Sequence, residues 1–245
     1  MGSKKYRDKT CVYCGKEKSS TTGDHVIARE FFPTDARQNL PQVPSCVACN
    51  NDKSFIEHYL LAVLPIGGRH EGAATAIADQ VVPRLAKNEA LVRQIEAGRQ
   101  QYFVLDETRT WSSGMITPLD GSKLMKLACL IAQGLAWHHW KIQLAPEALA
   151  DAKQMKAEGV RHFRGEISGH KAGEQVKVSL GNGVFQYHGA YQRTNPKKTI
   201  WEMSFFGGVE VGPINMRGES TRSVFVVTSN EREWYTHIQG TNNQG

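Results

Sequence analysis

The chain has 245 residues, of which 40% are apolar and 22% charged, with a formal net charge of +6 and a pI near 9.1. That apolar content excludes a disordered chain, and the length suits one small module joined to a larger one. No apolar run reaches membrane-spanning length, since Pro65 breaks the longest, Leu60 to Ile66, so no membrane association is expected.

Met1 to Lys9 is polar and basic and lacks the apolar stretch of a secretory signal. Lys4, Lys5, Arg7, Lys9, Lys16 and Lys18 concentrate positive charge at this end, which permits a polyanionic partner. A first knuckle, Cys11-Val12-Tyr13-Cys14, precedes a polar turn from Lys16 to Gly23. The β-branched Val26 and Ile27 predict a strand over Asp24–Ala28, and three prolines make Arg29 to Pro44 a loop. A second knuckle, Cys46-Val47-Ala48-Cys49, leads into a helix expected from Asn50 or Asn51, with Phe55, Tyr59 and Ala62 on one face.

Gly67-Gly68 reads as a hinge, followed by helices over Ala73–Gln80 and Arg84–Ala97 that Pro83 separates. Gln101–Leu105 and Trp111–Thr117 fit a hairpin. Ser122–Trp140 carries the strongest helical period, through Leu124, Leu127, Ala128, Ile131 and Leu135. Pro146 opens a further helix to about Glu158, and strands follow at Val184–Tyr191, Ile200–Phe206 and Ser223–Thr228. The expected fold class is α+β: a small module over residues 1–66 and a larger mixed α+β domain over 67–245.

Four thiolates at paired short spacing suit a tetrahedral Zn²⁺ site, and place the chain in a reducing, cytoplasmic setting rather than a disulfide-forming one. The fifth cysteine, Cys129, sits inside an apolar pattern and reads as core. Between the knuckles lies Asp24-His25. A neutral imidazole near pH 7 is a natural proton acceptor, and a carboxylate oxygen suits Mg²⁺ or Mn²⁺. Asn50 offers either an amide oxygen to a metal or a helix cap.

Asp24-His25-Val26-Ile27 followed by Cys46-x-x-Cys49-Asn50-x-x-Lys53 resembles the HNH endonuclease family, in the branch whose ββα-metal core is stapled by a four-cysteine structural zinc. Asparagine replaces the motif's final histidine, and the resemblance covers roughly residues 8 to 62. It implies a divalent-metal-dependent endonuclease acting on DNA, leaving 5′-phosphate and 3′-hydroxyl ends. His25 is then the general base, and Asp24 and Asn50 hold a catalytic Mg²⁺ or Mn²⁺. Cys11, Cys14, Cys46 and Cys49 hold zinc, and Asn39 stands where the family's central asparagine orients the base. Lys53 either contacts nucleic-acid phosphate or is an ordinary exposed lysine. His58, two turns beyond Asn50, is a weaker metal candidate. Residues 67–245 are expected to choose the substrate or to form a homodimer. His138-His139, between Trp137 and Trp140, reads as the end of a core helix. Arg161, Arg164 and Lys171 are either a basic phosphate-binding surface or scattered charge. Two rivals stand beside the nuclease: a non-catalytic zinc module that binds nucleic acid, and a protein-interaction scaffold.

Overall fold

A computed structural model describes residues 4–105, 109–116, 119–144, 149–155, 157–209 and 222–230. The architecture is mixed α+β. An antiparallel hairpin of β1 (Thr22–His25) and β2 (Gln42–Ser45) opens the chain and is followed by helix α1 (Val47–Val63). The expected strand over Asp24–Ala28 ends at His25, because Val26 and Ile27 turn into the core and are fully buried. Pro44 belongs to β2 rather than to a loop: it needs no N–H there, and its carbonyl accepts from Val12 N at 3.0 Å. Helix α1 starts earlier than expected, since Cys46 caps it by accepting from Cys49 N at 3.5 Å. Its buried face runs through Lys53, Ile56, Glu57 and Leu60, whereas Phe55 is 72% exposed, so Phe55 does not share the inner face of Tyr59 and Ala62.

Gly67-Gly68 forms a packed corner rather than a hinge. A Cβ on Gly68 would lie 2.6 Å from Phe206 Cβ, and the backbone N–H groups of Arg69 and His70 both donate to the Phe206 carbonyl. Helix α2 (Glu71–Ala76) passes through a π turn at Ile77–Val81 into α3 (Val82–Leu85). Pro83, with no N–H and a bulky ring, sits immediately after this irregular turn. Asn88 caps α4 (Glu89–Ala97), and β3 (Gln100–Leu105) pairs with β4 (Trp111–Ile116) as the expected hairpin.

Helix α5 (Gly121–Trp140) buries all five residues of its predicted stripe. The next expected helix is different. Pro146 lies outside the described residues; β5 (Leu149–Lys153) is a strand, and α6 spans Ala157–Gly169. Strands β6 (Gln175–Leu180), β7 (Phe185–Gln192), β8 (Asn195–Phe205) and β9 (Val224–Ser229) join β5 in an antiparallel sheet of order β5-β9-β8-β7-β6.

Helix α5 packs on one face of this sheet and α6 on the other. Every residue of β9 is therefore buried, and its first four, Val224 to Val227, form a continuous apolar run. Gly189 faces Trp201 across β7 and β8, and a Cβ there would collide with the indole at 2.1 Å, so the missing side chain makes room for Trp201. The main core is continuous across residues 66 and 67. It joins Val26, Phe31 and Leu60 to Leu127, Phe205 and Val226 in one cluster. No helix among the described residues is long and apolar enough to cross a membrane.

Candidate metal centre and its Asp-His pair

The first knuckle folds back at Gly15, whose φ of 68° is a left-handed conformation natural to glycine. Gly15 N donates to the Cys11 carbonyl and Cys11 N to that of Lys16. The second knuckle is the junction of β2 and α1. The two meet so that the sulfurs of Cys11, Cys14, Cys46 and Cys49 all lie within 4.8 Å of one another. Cys14 and Cys46 Sγ are 3.9 Å apart, close to the ~3.8 Å edge of a tetrahedron with Zn–S bonds near 2.3 Å. Burial, with the neighbouring sulfurs, pushes the Cys49 thiol well above the ordinary range. That penalty on crowded thiolates is one a bound cation reverses. The four cysteines can thus hold one metal ion such as Zn²⁺. Cys129 is partly buried against the core, and burial raises its thiol to about 12, as fits an inert side chain.

Asp24 and His25 close β1 opposite Val43 and Gln42 of β2. Asp24 is buried, and its Oδ2 accepts from Tyr13 Oη at 2.5 Å and pairs with Lys53 Nζ at 3.1 Å. Lys53 has no exposed surface. Its ammonium also donates to the His25 carbonyl at 2.7 Å and to Glu57 Oε1 at 2.7 Å. This corrects the expectation for Lys53: it is a buried bridge between α1 and β1 and cannot contact nucleic acid from there. Burial raises Glu57 to about 7 against the pull of the Lys53 charge. Burial also lowers the His25 imidazole, helped by Arg29 and Lys53 and opposed by Asp24, which favours the neutral ring.

Asn39 does not hold that ring. It is exposed in a left-handed turn, with φ of 56°, and the ring's partner is Gln42, whose side chain lies 2.7 Å from His25 Nε2. Burial lowers the His138 imidazole, opposed by the neighbouring Gln42 backbone, so the end of α5 lies beside β2 and the pair. His139 bonds Tyr187 Oη at 2.9 Å and joins the aromatic packing, the core-helix role expected of it. His58 is exposed and bonds Arg84. Arg164 is engaged with Glu202 in two hydrogen bonds.

Sequence reasoning missed Tyr13, Gln42 and Glu57. The only local signal was the i, i+4 spacing of Lys53 and Glu57, which puts the two on one face of α1. Asn50 lies inside the first turn of α1, so it is not the cap; Cys46 is. Among the described residues, nothing bonds Asp24 Oδ1 or the Asn50 carboxamide. Tyr13 and Lys53 thus hold one oxygen of the Asp24 carboxylate and leave the other without a hydrogen bond among the described residues. Comparison of the chain with protein-family models, curated proteins and solved structures finds no match.

Proposed function

We propose that residues 8–62 form an HNH-type nuclease centre that hydrolyses phosphodiester bonds in DNA. One observation carries the reading. The hairpin ends on Asp24-His25, and buried Lys53 locks that pair to the helix that starts at the four-cysteine cluster. Zinc in the cluster would be structural, because four thiolates leave no open position for water.

His25, whose ring burial favours as neutral, accepts a proton from the attacking water at Nδ1, with the Gln42 amide turned so that its oxygen, not its NH₂, meets Nε2 and takes the hydrogen bond from Nε2–H. The water oxygen bonds to phosphorus, and the bond to the 3′-oxygen breaks. That oxygen takes up a proton to give a 3′-hydroxyl beside a 5′-phosphate. Asp24 and Asn50 would hold Mg²⁺ or Mn²⁺, which when bound supplies charge neutralisation at the phosphate.

The test is incubation of purified protein with supercoiled plasmid and Mg²⁺ or Mn²⁺. His25→Ala is expected to lose on the order of 10²–10⁴-fold in nicking rate with zinc content unchanged. Equal rates would remove the mechanism. A second reading, a zinc module that binds nucleic acid without cleaving it, draws on the burial of Asp24 and the engagement of half its carboxylate. Metal-independent DNA binding with no nicking in any divalent ion would favour it.

A further inference from the structure

The face of the large sheet turned toward α6 is only partly covered. Helix α6 lies over Ala190, Phe225 and Val227, and beside it opens a groove of about 820 Å³. Its floor is two adjacent cross-strand rows, Lys177–His188–Glu202 and Ser179–Gln186–Ser204, on strands β6, β7 and β8. Directly paired side chains on one face lie roughly 5 Å apart, so these six groups form one continuous polar patch.

The patch divides by what is already bonded. Glu202 accepts from Arg164 Nε at 2.9 Å, from a second Arg164 nitrogen at 2.5 Å and from Ser223 at 2.9 Å. His188 bonds Gln175 at 3.2 Å. The side chains of the other four, Lys177, Ser179, Gln186 and Ser204, have no hydrogen-bond or ion-pair partner among the described residues. They offer an ammonium, two hydroxyls and an amide, a donor-rich set beside a carboxylate that Arg164 already neutralises. Such a set complements an oxyanion.

We propose that this groove binds a phosphate monoester on a small hydroxylated body, a sugar phosphate. Lys177, Ser179 and Ser204 hold the phosphate oxygens, and Gln186 reaches the remaining polar groups. The groove is far larger than one phosphate, and its unbonded side chains are polar; Tyr187 borders it, but that ring is buried in the main core against His139, which leaves no exposed aromatic ring of Phe, Tyr or Trp for a base to stack on. Phe185, Tyr187 and Met203 turn to the opposite face, into the core shared with Val26 and Phe31. The sheet therefore separates this groove from Asp24-His25, and the site does not depend on the nuclease reading.

The experiment is a titration of ¹⁵N-labelled full-length protein with ribose 5-phosphate, inorganic phosphate and ribose, followed by amide shifts. Ribose 5-phosphate is expected to move the Ser179, Gln186 and Ser204 amides with a Kd in the micromolar to millimolar range. Inorganic phosphate should bind the same residues more weakly, and ribose at least tenfold more weakly than its phosphate. Lys177→Ala, an exposed position where the fold should be indifferent, is expected to weaken ribose 5-phosphate at least tenfold; Gln186→Ala should weaken it less. No shifts at millimolar ribose 5-phosphate, equal binding of ribose, or unchanged affinity in Lys177→Ala would each overturn the proposal.

Discussion

A lysine with no exposed surface is the residue that organises the Asp-His pair. Lys53 is the only cation bonded to Asp24 and Glu57 among the described residues. Removing it strands two carboxylates where desolvation is severe. Lys53→Met is expected to destabilise the fold by roughly 3–5 kcal/mol, measured by urea denaturation. If loss of DNA affinity with unchanged stability were seen instead, Lys53 would be a contact residue after all. Burial, His138 and Lys141 lower the His139 imidazole to about 4 from an ordinary 6.5. Between those values the unfolded chain binds a proton that the folded chain refuses. The stability this confers is present above pH 6.5 and is lost as pH falls through 4. His139→Gln, which keeps a partner for Tyr187, should flatten that slope; an identical slope would assign it to other groups. At this scale the cysteines and Asp24-His25 were legible because their signal is spacing alone. Lys53 was not, since Asn50-Asn51-Asp52-Lys53 reads as a solvated run until Asp24 is known to lie against it. Gln42 meets His25 only through the register of a hairpin whose strands are joined by a long loop.

Helix α5 shows how an element can bind two regions. A Cβ on Gly134 would lie 2.8 and 2.9 Å from the Val26 methyls. The glycine thus lets the helix approach the segment directly after His25. Gly134→Ala should cost about 1–3 kcal/mol through overpacking. Val26→Ala in the same chain should recover part of that loss, because neighbouring sites couple. Additive effects in this double-mutant cycle would show that the two residues do not meet. The periodicity of α5 made it readable over nearly its full length. The failure at Leu149–Lys153 has the opposite cause. Ala150, Ala152 and Lys153 suit a helix, yet pairing with the fully buried β9 decides their state.

For the whole molecule, the continuous core means that metal and fold should be lost together. Cys46→Ser removes a candidate metal ligand and the sulfur cap of α1 in one change. Zinc release is expected to lower stability across the chain, so that fluorescence of buried Trp201 and far-UV dichroism change in one transition. Two separated transitions would show that the knuckles unfold alone. Overall class was readable from the mixture of periods, whereas the strand order was not, because only long-range pairing specifies it. Gln143, just beyond α5, donates to the carbonyls of Cys11 and Val12, while Phe31 packs its ring 5.8 Å from that of Phe205. The stretch carrying the Asp-His pair is therefore no portable cassette. Grafted onto a foreign scaffold it would bring its motif intact but leave behind the latch on its knuckle and the aromatic wall it leans on.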